Sequence, residues 1–436
     1  MRRDRFDLTV SSLSTEAIST YVDGLDLMLS GNVGGELLLQ RAIDLDPGFA
    51  LAHGAMARAL QLGARMPEAQ KMAAQAVALA EGASARERGH VGAVALAVEG
   101  KADQALAAVE AHLAEFPRDG LVLSLALGVY GLIAFSGRAD HHEAQRKLLD
   151  RLAPEYGEDW WFLGYWGWAH AETGDPKQAL PIIARSLKIN PRFAHAAHAR
   201  THAFYELGRN EEAADFLRQW LAPYSPASIL HCHLNWHVAL FELMDGRIAD
   251  ADQRYKTSIR PMVSQAAPMP TLADGASYLW RRHIYDPAAR DLPWGELTAL
   301  VQRSFAGTTQ AFGDLHAALT EAGSGDIAGL ERRAGYLEHN LAAGRLPQGR
   351  IVPDLCRAIS AFARGDDATA IALLTQALPE LNRVAGSHAQ REVFEDTLIA
   401  ACLRGGEFKR AREILQARLK RRPRALDKAW LKKTGG

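Results

Sequence analysis

The chain has 436 residues, of which 50 are Lys or Arg and 51 are Asp or Glu, so its formal net charge at pH 7 is -1. This balance argues against a dedicated binder of nucleic acid or of an anionic membrane, because either role needs an excess of basic side chains. With 48% hydrophobic and 23% charged residues, the composition is that of an ordinary globular protein and excludes wholesale disorder.

Targeting segments and a cysteine framework are not recognisable in the sequence. The N-terminus begins Met1-Arg-Arg-Asp-Arg and is not followed by the apolar run of a secretory signal. No stretch of the sequence contains about 18 uninterrupted apolar residues, the length that a membrane span needs. Cys232, Cys356 and Cys402 are too few and too scattered for a disulfide framework or a thiolate metal site. We therefore expect a cytoplasmic protein.

A glycine followed five residues later by an alanine recurs along the chain and predicts helix–turn–helix repeats. The glycine tolerates the left-handed end of a first helix, and the small alanine allows a second helix to cross it closely. Prolines at intervals of 35 to 37 residues are expected to stop the second helices. The glycine–alanine pairs are Gly100–Ala105, Gly174–Ala179, Gly208–Ala213, Gly246–Ala251, Gly365–Ala370 and Gly406–Ala411, and the prolines are Pro117, Pro154, Pro191, Pro226 and Pro261.

The best copy of the repeat, residues 160–193, resembles the tetratricopeptide repeat, with small residues at Gly167, Ala179 and Ser186. No useful strand-like alternation is present. We therefore predict an all-α protein, a tetratricopeptide-like right-handed α-solenoid curled around a concave pocket. Its expected parts are repeats over 1–265, a divergent helical segment or hinge over 266–345, further repeats over 346–424 and a loosely attached basic tail over 425–436.

In tetratricopeptide repeats the first helix of each pair lines the concave groove. The resemblance implies groove positions rich in His, Trp, Tyr and Glu and without Lys, Arg or Asn in the four clearest repeats. A clamp for the terminal carboxylate of a peptide would need such donors. The predicted ligand-binding residues from these helices are Trp161, Trp168, Glu172, His195, Tyr205 and Trp236.

Histidines are concentrated in the same region, with seven of the sixteen between positions 170 and 237. His198 and His202 share one helix face, as do His233 and His237 on the next inner helix. We predict that these four imidazoles transfer protons, oriented by Glu206 or another acid, although buried packing histidines are the alternative. His141 and His142, in a polar stretch, are expected to be solvated.

A metal ion or other cofactor is not predicted. Two histidines spaced i, i+4 are a zinc-type pattern, but Ala199 and Leu234 stand where the accompanying Glu would be, and no cysteine or obvious carboxylate ligand accompanies them in fixed spacing. A divalent metal at the histidine pairs is the alternative.

Several short motifs make the chain similar, over almost its whole length, to the tetratricopeptide repeat protein 38 family. The motifs are Arg86-Glu87-Arg-Gly-His90-Val91, His198-x3-His202, His233-x-x-Trp236-His237, Asp274-x-x-Ser277-x-Leu279-x-Arg281, Phe312-x-Asp314-x-His316 and Gly386-Ser387-His-Ala389-Gln390-Arg391-Glu-Val393-Phe394. The chain departs from the family at Phe204 and Tyr205, where a further histidine and a glutamate are common.

The resemblance adds candidate residues outside the clean repeats. Asp314 and His316 join the proposed acid–base group, as do Glu87 and His90 from the groove of the repeat at Gly100, while Asp274, Arg281, Gln390 and Arg391 join the ligand-binding group. If the solenoid closes, the two arginines would hold a carboxylate. The alternative is that these residues cap helices or pair with acids.

Two functions follow from these observations. The favoured one is a small-molecule site, for a ligand that bears a carboxylate, in a cofactor-independent acid–base enzyme of isomerase, lyase or hydrolase type. The alternative is a scaffold that binds a peptide or protein partner in its groove. Neither nucleic acid nor a membrane is an expected partner.

Overall fold

The computed structural model describes residues 2–286, 288–289, 291–307 and 310–435. Their regular structure is helical, apart from one isolated bridge between Arg3 and Thr9. None of the described helices is both long and apolar enough to cross a bilayer. In chain order the α-helices are α1 Thr15–Ser30, α2 Gly35–Leu45, α3 Ala50–Leu62, α4 Met66–Leu79, α5 Ala85–Val98, α6 Ala102–Glu115, α7 Gly120–Ala126, α8 Leu132–Phe135, α9 His141–Tyr156, α10 Trp160–Glu172, α11 Pro176–Ile189, α12 Ala194–Glu206, α13 Asn210–Leu221, α14 His231–Met244, α15 Ile248–Arg254, α16 Pro268–Tyr285, α17 Gly295–Ser304, α18 Ala311–Ser324, α19 Ile327–Ala342, α20 Ile351–Ala363, α21 Asp367–Ala377, α22 His388–Arg404, α23 Phe408–Arg421 and α24 Ala425–Lys432.

Consecutive helices pack in pairs, and the first helix of one pair contacts the first helix of the next. Thus α3 packs on α4 and α5, and α10 packs on α11 and α12. Each pair leaves one apolar side uncovered until the next pair stacks on it. The prediction of an all-α solenoid is confirmed.

The turn glycines adopt the conformation that the sequence pattern requires. All six have positive φ angles between 69° and 85°, and each partner alanine is fully buried at the helix crossing. The prolines follow the pattern less strictly, because Pro154 lies inside α9 rather than after it. Its position in the last turn limits the disruption to the end of the helix.

The segment over 266–345 continues the stack. Helix α16 pairs with α17 and contacts α14 before it, while α18 pairs with α19 and contacts α20 after it. Helix packing therefore continues through the described residues of this segment, which we expected to be a divergent helical segment or a hinge.

The C-terminal residues differ from the loosely attached tail that we expected over 425–436. Residues 425–432 form α24, and Trp430 is buried with its ring 5.4 Å from that of Tyr285. Arg418 on α23 holds the carboxylate of Asp427 at 2.9 Å. The basic side chains near the C-terminus thus pair with buried acids, which a composition argument does not reveal.

The solenoid curls until its two halves touch. At the N-terminus of α22, the backbone N–H of His388 donates to Glu172 on α10 at 3.0 Å, and the hydroxyl of Tyr205 on α12 donates to Glu392. At a second contact between the two halves, the side-chain amide of Gln348 donates to the backbone carbonyl of Phe135 at 3.1 Å. The two large apolar cores, one formed mainly by earlier helices and one by later helices, meet at α12.

Candidate functional site

Four imidazoles converge where α12 and α14 face the inside of the curl. The Nε2 atom of His198 lies 2.8 Å from that of His202, 3.0 Å from that of His233 and 3.1 Å from that of His237. One nitrogen from each of the four rings lies within 4.8 Å of the other three. We call these four residues the four-histidine centre.

Local sequence explains how two helices each present two rings. The i, i+4 spacing places His198 above His202 on α12, and His233 above His237 on α14. Most of the other buried residues of α12 are alanines. They are fully buried, and their small side chains leave room for neighbouring helices to approach.

Two buried carboxylates hold the outer nitrogens of the centre. His202 Nδ1 lies 2.6 Å from Glu172 on α10, and His233 Nδ1 lies 2.8 Å from Asp274 on α16. A carboxylate accepts a hydrogen bond, so in both rings Nδ1 carries the proton. In the neutral tautomer Nε2 then directs a lone pair at the centre, an arrangement typical of histidines that bind metal ions.

Hydrogen bonds alone do not satisfy these converging nitrogens. His198 Nε2 faces three other Nε2 atoms, and two of those, in His202 and His233, carry lone pairs in the neutral tautomer. A single N–H on His198 can serve one of them at a time. A cation at the centre would satisfy all four nitrogens together.

Electrostatics favours neutral rings at the core of the centre. Burial, followed by repulsion from the neighbouring imidazoles, lowers the pKa of His198 well below its ordinary value, and the same causes lower the pKa of His237. Burial acts against ionisation of Glu172, but His202, His142 and Arg391 together more than offset it and lower the pKa of that carboxyl. Neutral His198 and His237 are in the protonation state that metal binding requires.

The dimensions and charges suit a divalent transition metal. Zinc–imidazole bonds of about 2.0–2.1 Å place tetrahedral ligand nitrogens about 3.3 Å apart; the three separations that involve His198 are 2.8–3.1 Å, and all the separations are within 4.8 Å. The carboxylates of Glu172 and Asp274 would balance the two positive charges of the ion. His202 and His237 are fully buried, and His198 and His233 keep only 7% and 6% exposure.

The acids expected to orient these histidines lie elsewhere. Glu206 contacts His388 Nδ1 at 2.8 Å, and Asp314 forms an ion pair with Arg333 at 2.9 Å. The orienting acids are Glu172 and Asp274, which the sequence placed only among the ligand-binding residues. Each comes from a helix in a neighbouring repeat, so no spacing within one helix could have identified its role.

Glu87 and Gln390 belong to capping boxes. Ser84 and Glu87 exchange hydrogen bonds at the start of α5, and Ser387 and Gln390 do the same at the start of α22. The pattern Ser-x-x-Glu or Ser-x-x-Gln before a helix was visible in the sequence and indicates this role.

His90 lies in a separate buried group, which we call the Asp119 cluster: Arg86, His90, His112 and Asp119. His90 Nδ1, His112 Nε2 and Arg86 Nε each lie 3.0 Å from the carboxylate of Asp119. This places His90 in a structural network of the N-terminal repeats. His316 is also buried, and its Nδ1 donates to the carbonyl of Phe312 at 2.7 Å.

The two arginines expected to grip a carboxylate ligand are occupied by the protein itself. Arg281 pairs with Asp396 at 3.2 Å. Arg391 lies 3.1 Å from His142 Nε2 and donates to the carbonyl of Gly386. His141 and His142 are buried rather than solvated, because the closed solenoid covers the start of α9.

The aromatic residues predicted to line the groove lie around the four-histidine centre or pack into the core. Trp236 stacks on His233 at 5.3 Å, and Trp168 lies 5.6 Å from His142. Trp161 packs against Phe6 and is fully buried. Of the remaining groove residues, His195 is half-buried, with its ring 5.1 Å from that of Tyr165, and Tyr205 contacts α22 as described above.

No family model matches this chain. Similar solved structures include human IFIT1, crystallised as a dimer with m7Gppp-AAAA, at 11% identity over 99% of this chain and 97% of that chain, with a TM-score of 0.38. Yeast Tom70 is 11% identical over 96% of this chain and 95% of that chain, with a TM-score of 0.35. The tetratricopeptide-repeat domain of P58(IPK) is 16% identical over 88% of this chain and 98% of that chain, with a TM-score of 0.22. These similarities are too low for the function of any of those proteins to be transferred to this chain.

Proposed function

We propose that this protein is a metal-binding α-solenoid in which His198, His202, His233 and His237 hold one divalent transition-metal ion as the centre of a small-molecule site. The observation that carries the proposal is the convergence of four Nε2 atoms, with two of the rings fixed from behind by buried carboxylates. This replaces the metal-free acid–base chemistry that the sequence suggested.

The direction of the rings is the reason for the change. A general acid or base must direct a nitrogen at the substrate. Here the Nε2 atoms of four rings are directed at one another, so they are available to a shared cation rather than to separate proton transfers. Four bound nitrogens complete a tetrahedral shell, so a ligand oxygen would bind the metal only as a fifth ligand, where the metal would supply Lewis acidity.

The resemblance to the tetratricopeptide repeat protein 38 family is part of the proposal. The motifs that carry it contain all four histidines and Asp274, and Glu172, which lies behind His202, is the one acid of the centre outside them. We also propose a cytoplasmic location, which fits three cysteines that are buried and free.

Metal content tests the proposed function. Protein purified without chelator and then reconstituted with Zn²⁺ should hold one ion per chain by mass spectrometry of the metal. The variant His198→Gln removes the nitrogen that lies beside the other three and should lower zinc affinity at least 100-fold. His53→Gln is the matched control, because His53 is equally buried but bonds a backbone carbonyl outside the centre.

Two results would contradict the proposal. One is a wild-type chain that takes up no zinc, copper or iron beyond the level of the His198→Gln variant. The other is equal metal affinity in the two histidine variants, which would place the bound ion elsewhere.

The second candidate function is a scaffold for a protein partner, and the repeat architecture itself favours it. Trp161 and Trp236, two of the predicted groove residues, are buried in the protein, so such a partner would bind the outer faces of the repeats. A partner whose binding is indifferent to both zinc and His198→Gln would support this function.

A further inference from the structure

One buried guanidinium of the protein has an unpaired hydrogen-bonding edge. The contacts of Arg391 involve only Nη1, which donates to His142 Nε2 at 3.1 Å and to the carbonyls of Ala385 and Gly386. Its Nε and Nη2 atoms, which form the adjacent edge of the guanidinium, have no acceptor among the described residues. The side chain as a whole keeps only 6% exposure, but neither of these two atoms is fully enclosed, so a water-sized group can touch the edge.

Other buried arginines show what this edge does when an acid is present. Nε and Nη2 of Arg333 hold the two oxygens of Glu321 at 2.9 and 2.8 Å, and the same atoms of Arg418 hold those of Asp427 at 3.1 and 2.9 Å. Of the seven arginines buried in the described part of the chain, Arg391 is the one without a carboxylate at ion-pair distance. Arg391 therefore offers a bidentate position for a carboxylate that the protein itself does not fill.

Further unpaired polar atoms lie beside this arginine. We call four residues the Arg391 group: Arg391 on α22, His141 and His142 on α9, and Trp168 on α10. The ring of His142 lies 3.9 Å from that of His141 and 5.6 Å from that of Trp168. Trp168 Nε1, His142 Nδ1 and both ring nitrogens of His141 are buried and have no hydrogen-bond partner among the described residues. Buried polar atoms of folded proteins are nearly always paired, so this concentration points to a further group that serves them.

The protonation states make most of these atoms donors. An arginine can only donate, so His142 Nε2 accepts from Arg391, and the neutral ring carries its proton on Nδ1. Burial is the main cause that lowers the pKa of His142 well below its ordinary value, and it lowers the pKa of His141 to about 4, so both rings are neutral at pH 7. The indole nitrogen of Trp168 always donates. Unpaired N–H groups around an unpaired guanidinium edge suit an anion.

The nearest acid does not take this position. Glu172 lies 3.6 Å from His142 Nε2, but its oxygens accept hydrogen bonds from His202 Nδ1 and from the backbone N–H of His388. Burial lowers the pKa of Arg391 to about 10 even though Glu172 acts in the opposite direction. The charge of Arg391 is therefore only partly compensated by the protein.

We infer that the Arg391 group binds the carboxylate of a small molecule, held between the two halves of the solenoid by the Nε–Nη2 edge of Arg391 and by the N–H donors beside it. A carboxylate matches this planar edge and brings one negative charge for one arginine. A phosphate would bring about 1.5–2 negative charges next to the ionised Glu172. The inference goes beyond the proposed function, because none of the four metal-binding histidines belongs to this group.

The indole N–H resonance of Trp168 tests the inference. The full chain has nine tryptophans, and the indole signal that disappears from the ¹H–¹⁵N spectrum in Trp168→Phe belongs to Trp168. Titration with acetate or formate at constant ionic strength should shift this signal to saturation, because its N–H gains an acceptor. Arg391→Gln should weaken the apparent affinity at least tenfold, and parallel titrations with phosphate and with chloride test the class of anion.

Arg383→Gln is the matched control. Arg383 also joins the two halves, since its Nη1 donates to the carbonyl of Gly137 at 3.0 Å, but it pairs with Glu380 and lies outside the Arg391 group. This variant should keep the acetate affinity of the wild type. Arg391→Lys keeps the charge without the planar edge and should bind acetate with an affinity between those of wild type and Arg391→Gln.

A second measurement keeps the inference testable where Arg391→Gln does not fold. Acetate should raise the thermal unfolding temperature of the wild type, because only the folded chain brings the donors together. Trp168→Phe keeps the ring packing but lacks the N–H, so its gain from acetate should be smaller. An equal gain in Trp168→Phe and wild type would contradict the inference.

The outcomes separate this inference from the proposed function. Equal acetate affinity in wild type and Arg391→Gln would overturn the inference, as would an indole signal of Trp168 that does not respond to acetate or formate. Tighter binding of phosphate or chloride than of acetate would overturn the assignment to a carboxylate. Acetate affinity that depends on Arg391 in a chain that takes up no metal would support the inference although the proposed function had failed.

Discussion

The Asp119 cluster and the four-histidine centre are both buried groups of imidazoles, yet their nitrogens are arranged in opposite ways. In the Asp119 cluster, His90, His112 and Arg86 each direct a nitrogen at one shared carboxylate, at 3.0 Å. In the four-histidine centre, the carboxylates lie outside and the Nε2 atoms are directed inwards at one another. The first arrangement places an anion at the middle, and the second leaves the middle for a cation.

This difference teaches that burial and clustering of histidines do not identify a metal site. What matters is which nitrogen each ring directs at its neighbours, and whether an acid fixes the opposite nitrogen. Changes at each group should therefore affect different properties, as the following predictions specify.

The largest effect is expected for Asp119→Ala. The substitution removes the carboxylate that Arg86, His90 and His112 all contact. Breaking a buried charge pair costs about 3–5 kcal/mol of folding free energy. Chemical denaturation should show this loss in the free energy of unfolding, with metal content unchanged. Lower metal content without destabilisation would show that the two groups are not independent.

The same substitution has a defined pH dependence. Burial acts against ionisation of Asp119, but His90, Arg86 and His112 more than offset it, so its pKa in the folded protein lies well below the ordinary value. The stabilisation is therefore fully present above about pH 4 and is lost as the pH falls further. The difference in free energy of unfolding between wild type and Asp119→Ala should therefore become smaller as the pH falls below about 4.

Zinc binding at the four-histidine centre should stabilise the folded protein by a smaller amount. Free Zn²⁺ at 100 times its dissociation constant should add about 2.7 kcal/mol to the free energy of unfolding, because only the folded chain brings the four rings together. Thermal unfolding with and without zinc measures this, and His198→Gln should abolish the gain. A gain of equal size in that variant would place the binding elsewhere.

Loss of one orienting acid should have a still smaller effect. Glu172→Gln removes the charge behind His202 and should weaken zinc binding 10–100-fold, or about 1.4–2.7 kcal/mol, as for other outer-shell partners of metal ligands. Asp274→Asn should act similarly through His233. Competition with a zinc-binding dye measures both, and unchanged affinity in both variants would mean that the acids do not support the centre.

The smallest effect is expected at a helix cap of the N-terminal region. Ser84→Ala removes one half of the capping box that contains Glu87 and should cost about 1 kcal/mol. Zinc affinity should not change, since this cap does not contact the centre. A clear change in zinc affinity would return Glu87 to the functional site.

The sequence by itself determined the repeat architecture. A left-handed turn after each first helix is strongly favoured at glycine, and a close crossing needs a small residue such as Ala179 or Ala213, so the pattern could be recognised locally. Local spacing also placed His198 with His202, and His233 with His237, on common helix faces. Capping boxes were equally local, although Glu87 and Gln390 were interpreted as site residues.

Only the tertiary structure decided what the histidines face. His202 and Glu172 are 30 positions apart, and His233 and Asp274 are 41 apart, so their contacts depend on how the repeats stack. Each histidine pair, considered on its own helix, argued against a metal, and the stacking of α12 and α14 joined the two pairs into one centre. The same curl buried His141 and His142, and the sequence could not show this because contacts across a closed solenoid leave no periodic trace in it.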